Sequence, residues 1–126
     1  MTMELTKAEE QIMQILWQRE QAFVKEIIED FDAPKPAYNT VSTIVRILEK
    51  KGFVSYNSFG KTHQYYPIVE KSDYKKKSLK KIIDGYFNHS YKNLVSFFSK
   101  EEDLSLEEME EIKQLMEDRI KKLKHK

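Results

Sequence analysis

Polar side chains that can bind nucleic acid recur at helical spacing between Ala37 and Gly52. Their order is Asn39, Thr43, Arg46 and Lys50 at positions i, i+4, i+7 and i+11, with Tyr38, Thr40 and Ser42 crowding the first turn. Amide, hydroxyl and guanidinium groups form hydrogen bonds at close range, which is what base edges and phosphates in a major groove require. An ordinary solvated helix face has the same composition, so the flanking segments must distinguish the two interpretations.

The intervening apolar residues predict a helix with one buried side. Val41, Ile44, Val45 and Leu48 recur at i, i+3, i+4 and i+7, which places them on one stripe. Gly52 lies where a left-handed C-cap is expected, because glycine adopts a positive φ without steric cost. We therefore predict that this helix packs with its apolar stripe and exposes its polar face.

The net charge of +1 conceals an uneven distribution along the 126 residues. Residues 1–32 hold three Lys or Arg against eight Asp or Glu, residues 33–81 hold eleven against three, and residues 82–126 hold eight against ten. A basic middle between two acidic ends is expected if one surface of the protein meets a polyanion. The polar helix lies within the basic segment, which favours the nucleic-acid interpretation.

Two shorter helices are predicted ahead of this one. Thr6 and Glu9 form a capping box, in which a hydroxyl and a carboxylate each bind a backbone N–H, and the helix runs to about Trp17. A second helix ends at Pro34 and Pro36, because proline lacks an N–H and disfavours a helical residue before it. Their apolar faces are Ala8, Ile12, Ile15 and Leu16 in the first helix, and Val24, Ile27, Ile28 and Phe31 in the second.

A two-stranded hairpin is predicted after the polar helix. The β-prone runs 54–56 and 64–66 flank a turn-rich link at 57–61. Three helices followed by such a hairpin form a winged helix-turn-helix, in which the third helix enters the groove and the wing reaches the DNA backbone. The basic tip of the hairpin adds Lys61 to the predicted DNA contacts.

The rest of the chain is predicted to be helical. Ser72 and Ser90 are placed to cap two helices, and the acidic run 101–103 interrupts the second of them. Ser105 and Glu108 then form another capping box at the start of a last helix.

These C-terminal helices carry more apolar side chains than so small an appendage can bury alone. The predicted dimerisation residues are Tyr86, Phe87, Leu94, Phe97, Met109, Ile112, Met116 and Ile120. We expect them to form a shared core with a second copy; the alternative is that the helices fold back on the winged domain. The predicted fold class is mostly α with a small β-hairpin: a winged helix-turn-helix domain over residues 1–70, followed by helical dimerisation over residues 71–126.

Groupings that would indicate catalysis or metal binding are missing from the sequence. There is no cysteine, and His63, His89 and His125 fall in three separate segments. No glycine-rich phosphate loop, metalloprotease motif or Ser/His/Asp grouping can be assembled. We therefore expect no enzyme activity, no metal and no cofactor. Because no apolar run has the length of a signal peptide or a membrane span, we expect a cytoplasmic protein without membrane insertion.

Several of these residues are arranged as in a known family. The relevant segments are Leu5-Thr6-Lys7-Ala8-Glu9 leading to Leu16-Trp17, Asn39-Thr40-Val41, Leu48-Glu49-Lys50-Lys51-Gly52, and a hairpin ending in Tyr66-Pro67. They resemble the penicillinase-repressor family (the BlaI/MecI type, with copper-responsive relatives such as CopY). The resemblance implies a homodimeric transcriptional repressor that binds a dyad-symmetric, double-stranded operator DNA. Copper sensing in that family uses C-terminal cysteines, which this chain lacks.

The resemblance also implies a switch. In repressors of β-lactam resistance, a membrane-bound sensor protease system triggers a cut in the dimerisation part, and residues 93–98 resemble that segment, which places the bond near Phe97 and Phe98. The family commonly has Gly-Ser at His89-Ser90, and its best-known members have asparagine where this chain has Phe97. Two alternative functions stay open on the sequence: a winged-helix regulator that responds to a small molecule, and an adaptor that binds protein.

Overall fold

The computed structural model describes residues 4–101 and 104–125. Its elements are, in order, α1 (Lys7–Arg19), β1 (Ala22–Phe23), α2 (Val24–Glu29), α3 (Tyr38–Lys50), β2 (Val54–Phe59), β3 (Thr62–Pro67), α4 (Lys71–Tyr86), α5 (Tyr91–Glu101) and α6 (Leu106–Lys124). The mostly helical fold with a small antiparallel sheet confirms the predicted class. The chain forms two compact units, one extending to Leu79, called here the winged unit, and a helical unit beginning at Lys80.

The first helix begins as its capping box predicts. The Thr6 hydroxyl accepts a hydrogen bond from the Glu9 N–H at 3.2 Å, and the Glu9 carboxylate accepts one from the Thr6 N–H at 2.8 Å. Two details of the prediction were wrong: the helix continues to Arg19, and Ala8 is exposed. The buried side of the helix is formed by Glu9, Ile12, Met13 and Leu16, so it is rotated around the helix axis away from Ala8.

The sheet has a third strand that the sequence did not indicate. The strand order is β1-β3-β2, with Ala22 opposite Tyr65 in an antiparallel pair. A two-residue strand is too short to show an alternating pattern, so only its pairing reveals it. The hairpin itself is longer than predicted, because its turn consists only of Gly60 and Lys61. Gly60 has a φ of 63°, the conformation that a two-residue hairpin turn requires at its first position.

The second helix ends at Glu29, well before the prolines that were expected to stop it. The Lys35 ammonium donates hydrogen bonds to the carbonyl oxygens of Glu29 and Phe31, at 2.9 and 2.6 Å, near this end. Carbonyl groups at a helix C-terminus lack intrahelical partners, so a lysine at this place satisfies them. Phe31 lies beyond the helix but still packs against the core.

The third helix has the buried stripe and the glycine cap that were predicted. Val41, Val45 and Leu48 are fully buried, and Ile44 packs against the core from its edge. Gly52 has a φ of 83°. Its N–H donates to the Glu49 carbonyl at 3.0 Å, while the next residue, Phe53, donates to Leu48 at 2.9 Å. These two bonds form a Schellman motif, which turns the chain and inserts Phe53 into the core.

An ion pair between a buried carboxylate and a half-buried lysine joins the start of α1 to the end of α3. The Lys51 ammonium lies 2.7 Å from a carboxylate oxygen of Glu9, whose exposed fraction is only 4%. Burial alone raises the pKa of Glu9, but the hydrogen bonds from Lys51 and Thr6 outweigh it, so the pKa lies below its ordinary value. The carboxylate is therefore charged in the folded protein at neutral pH.

Two of the three caps predicted for the C-terminal helices are confirmed. The Ser90 hydroxyl accepts from the Asn93 N–H at 3.1 Å, and Ser105 and Glu108 form their capping box. The predicted cap at Ser72 was wrong, because α4 begins at Lys71 and Ser72 lies in its first turn. Two of the three residues in the predicted acidic interruption, 102 and 103, lie outside the described residues. Within the described parts of the chain, no helix has the length and apolar character that crossing a membrane requires.

We expect Glu9→Gln to lower the free energy of unfolding by about 1.5–3 kcal/mol at pH 7, because the half-buried Lys51 ammonium loses its charged hydrogen-bond partner. A carboxylate with a depressed pKa stabilises the fold above its unfolded value, about 4.3, and this contribution is lost as the pH falls through the folded pKa. The difference between wild type and variant in urea unfolding should therefore shrink below about pH 4.3.

Glu10→Gln is the matched control, since it removes a first-turn carboxylate that is less buried. It should change the free energy of unfolding by about 0.5 kcal/mol or less. Equal losses in the two variants, or a Glu9→Gln loss that is the same at pH 7 and pH 3, would contradict the assigned role of the ion pair.

Candidate nucleic-acid interface

The polar face of α3 is exposed. Seven of the eight residues predicted to contact DNA are exposed, namely Tyr38, Asn39, Thr40, Thr43, Arg46, Lys50 and Lys61, and Ser42 is half-buried. All members of this set except Lys61 lie on α3, and the buried stripe on the other side of that helix holds them in place. Packing therefore presents the polar groups to solvent without using them in the core.

A groove of about 870 Å³ lies between α3, the start of α2 and the wing. It brings together four of the predicted residues, Tyr38, Ser42, Arg46 and Lys61. Asn39, Thr40, Thr43 and Lys50 are not part of its lining and lie further around the surface of α3. The remaining lining residues are Phe23, Val24, Lys25, Glu26, Glu29, Glu49, Tyr56, Thr62, His63 and Tyr65. The predicted residues thus form two adjoining surfaces: one side of a groove and the outer face of the helix.

Three of the predicted side chains are already hydrogen-bonded within α3. The Thr43 hydroxyl donates to the Asn39 carbonyl at 2.8 Å, which leaves its oxygen as an acceptor and its methyl group for apolar contact. The Arg46 guanidinium donates to the Ser42 hydroxyl oxygen at 3.1 Å. Because a guanidinium has five N–H donors, Arg46 retains others for a base or a phosphate.

Aromatic side chains form the wing side of the groove. The Tyr56 ring stacks on the His63 imidazole with centroids 3.9 Å apart and planes at 6°, and Tyr65 lies 5.7 Å from Tyr56 at 59°. Tyr65 is buried, which raises the pKa of its phenol, and the nearby Glu49 carboxylate adds to this effect. The register pairs Tyr56 with Tyr65 directly. The two-residue spacing of His63 and Tyr65, which places both side chains on one face of a strand, was the signal in the sequence that could have assigned them to a common surface.

The groove contains carboxylates as well as cations. Lys25, Arg46 and Lys61 face it together with the carboxylates Glu26, Glu29 and Glu49. The charge distribution along the sequence did not reveal that Glu26 and Glu29 face the groove, because α2 is distant in sequence from the wing. β1 brings the two together by pairing with β3.

Arg19 lies against two of these carboxylates. Its guanidinium forms two hydrogen bonds with Asp30, at 2.6 and 2.9 Å, and lies 3.7 Å from Glu26 and 3.8 Å from Glu29. The hydrogen bonds from Arg19 lower the pKa of Asp30, and the three carboxylates together raise the pKa of Arg19. One cation thus offsets part of the negative charge at the edge of the groove.

The residues predicted to dimerise are mostly exposed in the single chain. Phe87 and Leu94 are half-buried, and the exposed ones are Tyr86, Phe97, Met109, Ile112, Met116 and Ile120. No described residue of α6 is buried, although its apolar stripe runs almost the length of the helix. Ile83 is buried in this unit.

The segment compared with a cleavage site lies inside α5. Phe97 and Phe98 are each about two-fifths exposed, and Phe97 packs edge-on against Phe87 at 5.6 Å. The turn before α5 contains His89 at a φ of 61°, a left-handed conformation that favours glycine. A hydrogen-bonding contact of 2.8 Å between the His89 ring and Asp84 holds this turn.

The chain is similar to known proteins over most of its length. The family model described as "Penicillinase repressor" matches residues 5–118. The methicillin resistance regulatory protein MecI of Staphylococcus aureus is 35% identical over 116 residues, which cover 91% of this chain and 94% of that protein. The penicillinase repressors of Bacillus licheniformis and Staphylococcus aureus are 24% and 27% identical; the matches cover 91% and 94% of this chain, and 91% and 95% of those proteins.

The match extends over both units, from the first helix to the last. It agrees with the winged fold, and the family consists of regulatory repressors rather than enzymes. This chain therefore belongs to the penicillinase repressor family of transcriptional repressors.

Proposed function

We propose that the protein is a homodimeric repressor that binds a dyad-symmetric operator in double-stranded DNA through α3 and the wing. The observation that carries this proposal is the exposed polar face of α3 beside a groove that holds Arg46 and Lys61. Family membership supports it. A helix presenting hydroxyl, amide and guanidinium groups can read base edges, and a cation at the wing tip can bind phosphate.

Each residue type suggests a distinct role. Arg46 can form two hydrogen bonds with a guanine edge. Thr43 can accept a hydrogen bond from a base amino group or place its methyl group against a thymine methyl, since its hydroxyl hydrogen already binds Asn39. Lys50 at the end of α3 and Lys61 in the wing turn suit phosphate contacts, which position the protein without reading sequence.

The helical unit would hold two copies together. The residues of its exposed apolar stripes are those that a stable helical unit normally buries, and α6 buries none of them in the single chain. A second copy offers the same apolar stripes, so two copies can cover each other by symmetry. Two winged units joined in this way bind two half-sites of the operator. Once the first unit has bound, binding of the second is an intramolecular step, which raises the overall affinity.

In this arrangement, a cut between Phe97 and Phe98 would relieve repression. The cut would detach α6, with its apolar stripe, from the winged unit, so that the two halves of the dimer separate. The source of the cut would be a membrane-bound sensor protease system, as the family resemblance implies. The bond lies in the middle of α5, where its N–H and carbonyl belong to a helix, so local opening of the helix would precede cleavage.

We expect the substitutions Arg46→Ala and Lys61→Ala to have different effects on DNA binding. Loss of Arg46 should cost about 1–3 kcal/mol on the operator and reduce discrimination against random DNA. Loss of Lys61 should weaken both DNAs alike and lower the slope of log affinity against log salt by about 1 per site. Fluorescence anisotropy titrations from 50 to 200 mM salt measure both quantities. If both substitutions reduce the ratio of operator affinity to random-DNA affinity by the same factor, α3 does not read bases through Arg46.

Arg19→Gln should weaken DNA binding although Arg19 is not among the groove residues. The substitution leaves the carboxylates of Glu26 and Glu29 without their nearby cation, so the groove becomes more repulsive to phosphate. We expect a several-fold loss of affinity at 50 mM salt that diminishes at 200 mM, because salt screens the repulsion. Arg119→Gln removes an equal charge from α6 and serves as the control. A loss of equal size in both variants would show that only net charge matters.

Met116→Lys should dissociate the dimer. Burial of a methionine contributes about 1.5–3 kcal/mol, and a symmetric interface contains it twice, so the dimer dissociation constant should rise by about 10²- to 10⁴-fold. Gln114→Lys adds the same charge on the opposite side of α6 and should leave the dimer intact. Sedimentation equilibrium measures the change. The chain ending at Phe97, which lacks α6, should also be monomeric and lose most of its affinity for the operator. A Met116→Lys variant that stays dimeric and keeps full operator affinity would contradict the proposed interface.

A further inference from the structure

Four lysines near the start of α4 serve neither the packing of the fold nor the proposed reading of bases. All four are exposed, namely Lys71, Lys75, Lys76 and Lys77. Within the parts of the chain that the structure describes, none of their ammonium groups has an ion-pair or hydrogen-bond partner. By contrast, Lys35, Lys51 and Lys80 of the same basic segment each bind an oxygen of the protein. The four lysines therefore carry positive charge that the described chain does not neutralise.

The first turn of α4 is held against the winged unit. The link of residues 68–70 between β3 and α4 is fastened through its backbone: Ile68 donates to the Phe53 carbonyl at 2.8 Å, and the Trp17 indole N–H donates to the carbonyl of the next link residue at 2.9 Å. The Tyr74 side chain is 9% exposed, and its ring lies 6.0 Å from Phe53 and 5.6 Å from Trp17. The part of α4 up to Leu79 thus belongs to the winged unit.

This packing places the lysines near the C-terminal end of α3. Phe53 comes only three residues after Lys50, the last residue of α3, so a ring in contact with Phe53 lies close to that end. Burial of Tyr74 decides which side of α4 faces the core. The three residues that follow it are spaced by about 100° each around the helix, so residues 75–77 cover the remaining sides and reach solvent.

We propose that Lys71, Lys75, Lys76 and Lys77, called here the α4 lysines, bind DNA phosphates beyond the base pairs that α3 reads. This assignment rests on the operator binding proposed above. Lys50, which suits a phosphate contact, ends α3 at the place where α4 begins its packing, so the α4 lysines extend the same positive surface past the end of the reading helix. Each winged unit would then contact a longer stretch of duplex than its half-site.

The charge and spacing of the α4 lysines fit a polyanion. Residues 71–79 hold four lysines against one carboxylate, Asp73. A lysine ammonium is a point charge on a flexible stem, which suits phosphate contacts that need no exact geometry. From Lys71 to Lys77 the helix advances about 9 Å, a length over which one DNA strand carries two or three phosphates. Two or three phosphate contacts are therefore expected for each winged unit.

An anionic membrane offers the same kind of charge, but this part of α4 does not suit a membrane surface. A helix that lies in the membrane interface needs an apolar face beside its basic one. Tyr74 is the only apolar residue between positions 71 and 78, and it is buried in the core of the winged unit. The partner that fits is duplex DNA.

The test uses the full-length chain and duplexes built on a single half-site. The wild-type chain first selects its preferred sequence from a random duplex pool, and footprinting defines the half-site. That half-site is then extended by six base pairs of unrelated sequence on one side, on the other side, or on neither. Anisotropy titrations from 50 to 200 mM salt give the affinity and its salt dependence for each duplex. A further copy of each extended duplex carries uncharged methylphosphonates in the extension.

The variant combines Lys75→Gln, Lys76→Gln and Lys77→Gln. On the wild-type chain, one of the two extensions should raise the affinity about tenfold at 50 mM salt, and methylphosphonates should abolish that gain. The variant should lose the gain, and its slope of log affinity against log salt on that duplex should fall by about 2, since two or three phosphate contacts are lost. On the unextended half-site the variant should bind within about twofold of wild type.

The matched control combines Lys121→Gln, Lys122→Gln and Lys124→Gln, which removes the same charge from exposed lysines of α6. It should keep the gain from the extension. Urea unfolding of both triple variants should match wild type, because all six side chains are exposed.

The outcomes separate the α4 lysines from the proposed function. A wild-type chain that selects no sequence over random DNA overturns the operator binding itself. If it does select one, but no extension strengthens binding or the α4 variant keeps the full gain, the α4 lysines do not bind flanking phosphates. An equal loss in the α6 control overturns the assignment too, because only net charge then matters. Sedimentation with phosphatidylserine vesicles covers the other partner: lysine-dependent vesicle binding, together with an unchanged extension gain, would assign these residues to a membrane instead.

Discussion

Val41, Val45 and Leu48 remove one side of α3 from water, and the other elements of the winged unit are arranged around that packing. Full burial of such side chains contributes about 1.5–3 kcal/mol each, so the orientation of the helix about its axis is strongly determined. The Schellman motif after α3 continues this constraint by placing Phe53 in the same core. The polar face of α3 is exposed because the opposite face is buried.

Charged groups act on this arrangement in two different ways. The buried Glu9 carboxylate and the half-buried Lys51 ammonium form an ion pair that ties the start of α1 to the end of α3, so its effect is on the stability of the fold. Arg19 lies near the surface and contacts three carboxylates, of which Glu26 and Glu29 face the groove. Its effect is on the potential at the proposed DNA surface. Salt screens the Arg19 contacts because they lie near solvent, whereas it screens the Glu9–Lys51 pair less because the Glu9 carboxylate is buried.

The winged unit and the helical unit differ in how they use apolar surface. The winged unit has a continuous core drawn from its helices and sheet. In the helical unit, by contrast, α6 has no buried residue, and most of the apolar residues predicted to dimerise stay exposed in the single chain. Exposed apolar stripes of this extent are characteristic of surfaces that bind another protein chain. A second copy is the partner that we propose.

Short sequence patterns were sufficient to predict those features that depend on neighbouring residues along the chain. The stripe of α3, the Gly52 cap, and the capping boxes at Thr6 and Ser105 were predicted correctly because each depends on residues within one or two helical turns. Even the resemblance to a repressor family rested on short segments in the right order. The polar face of α3 and the apolar stripe of α6 could thus be predicted from the sequence alone.

Long-range pairing decided the rest. β1 exists only because Ala22 meets Tyr65 across the sheet, and that pairing brings Lys25, Glu26 and Glu29 to the groove beside Arg46. The link to α4 is held by an indole 52 positions away in sequence. No spacing rule connects residues so far apart, because their proximity results from packing of whole elements rather than from the repeat of a helix or a strand. The sequence therefore determined which faces are polar and which are apolar, and the tertiary structure decided which of them meet.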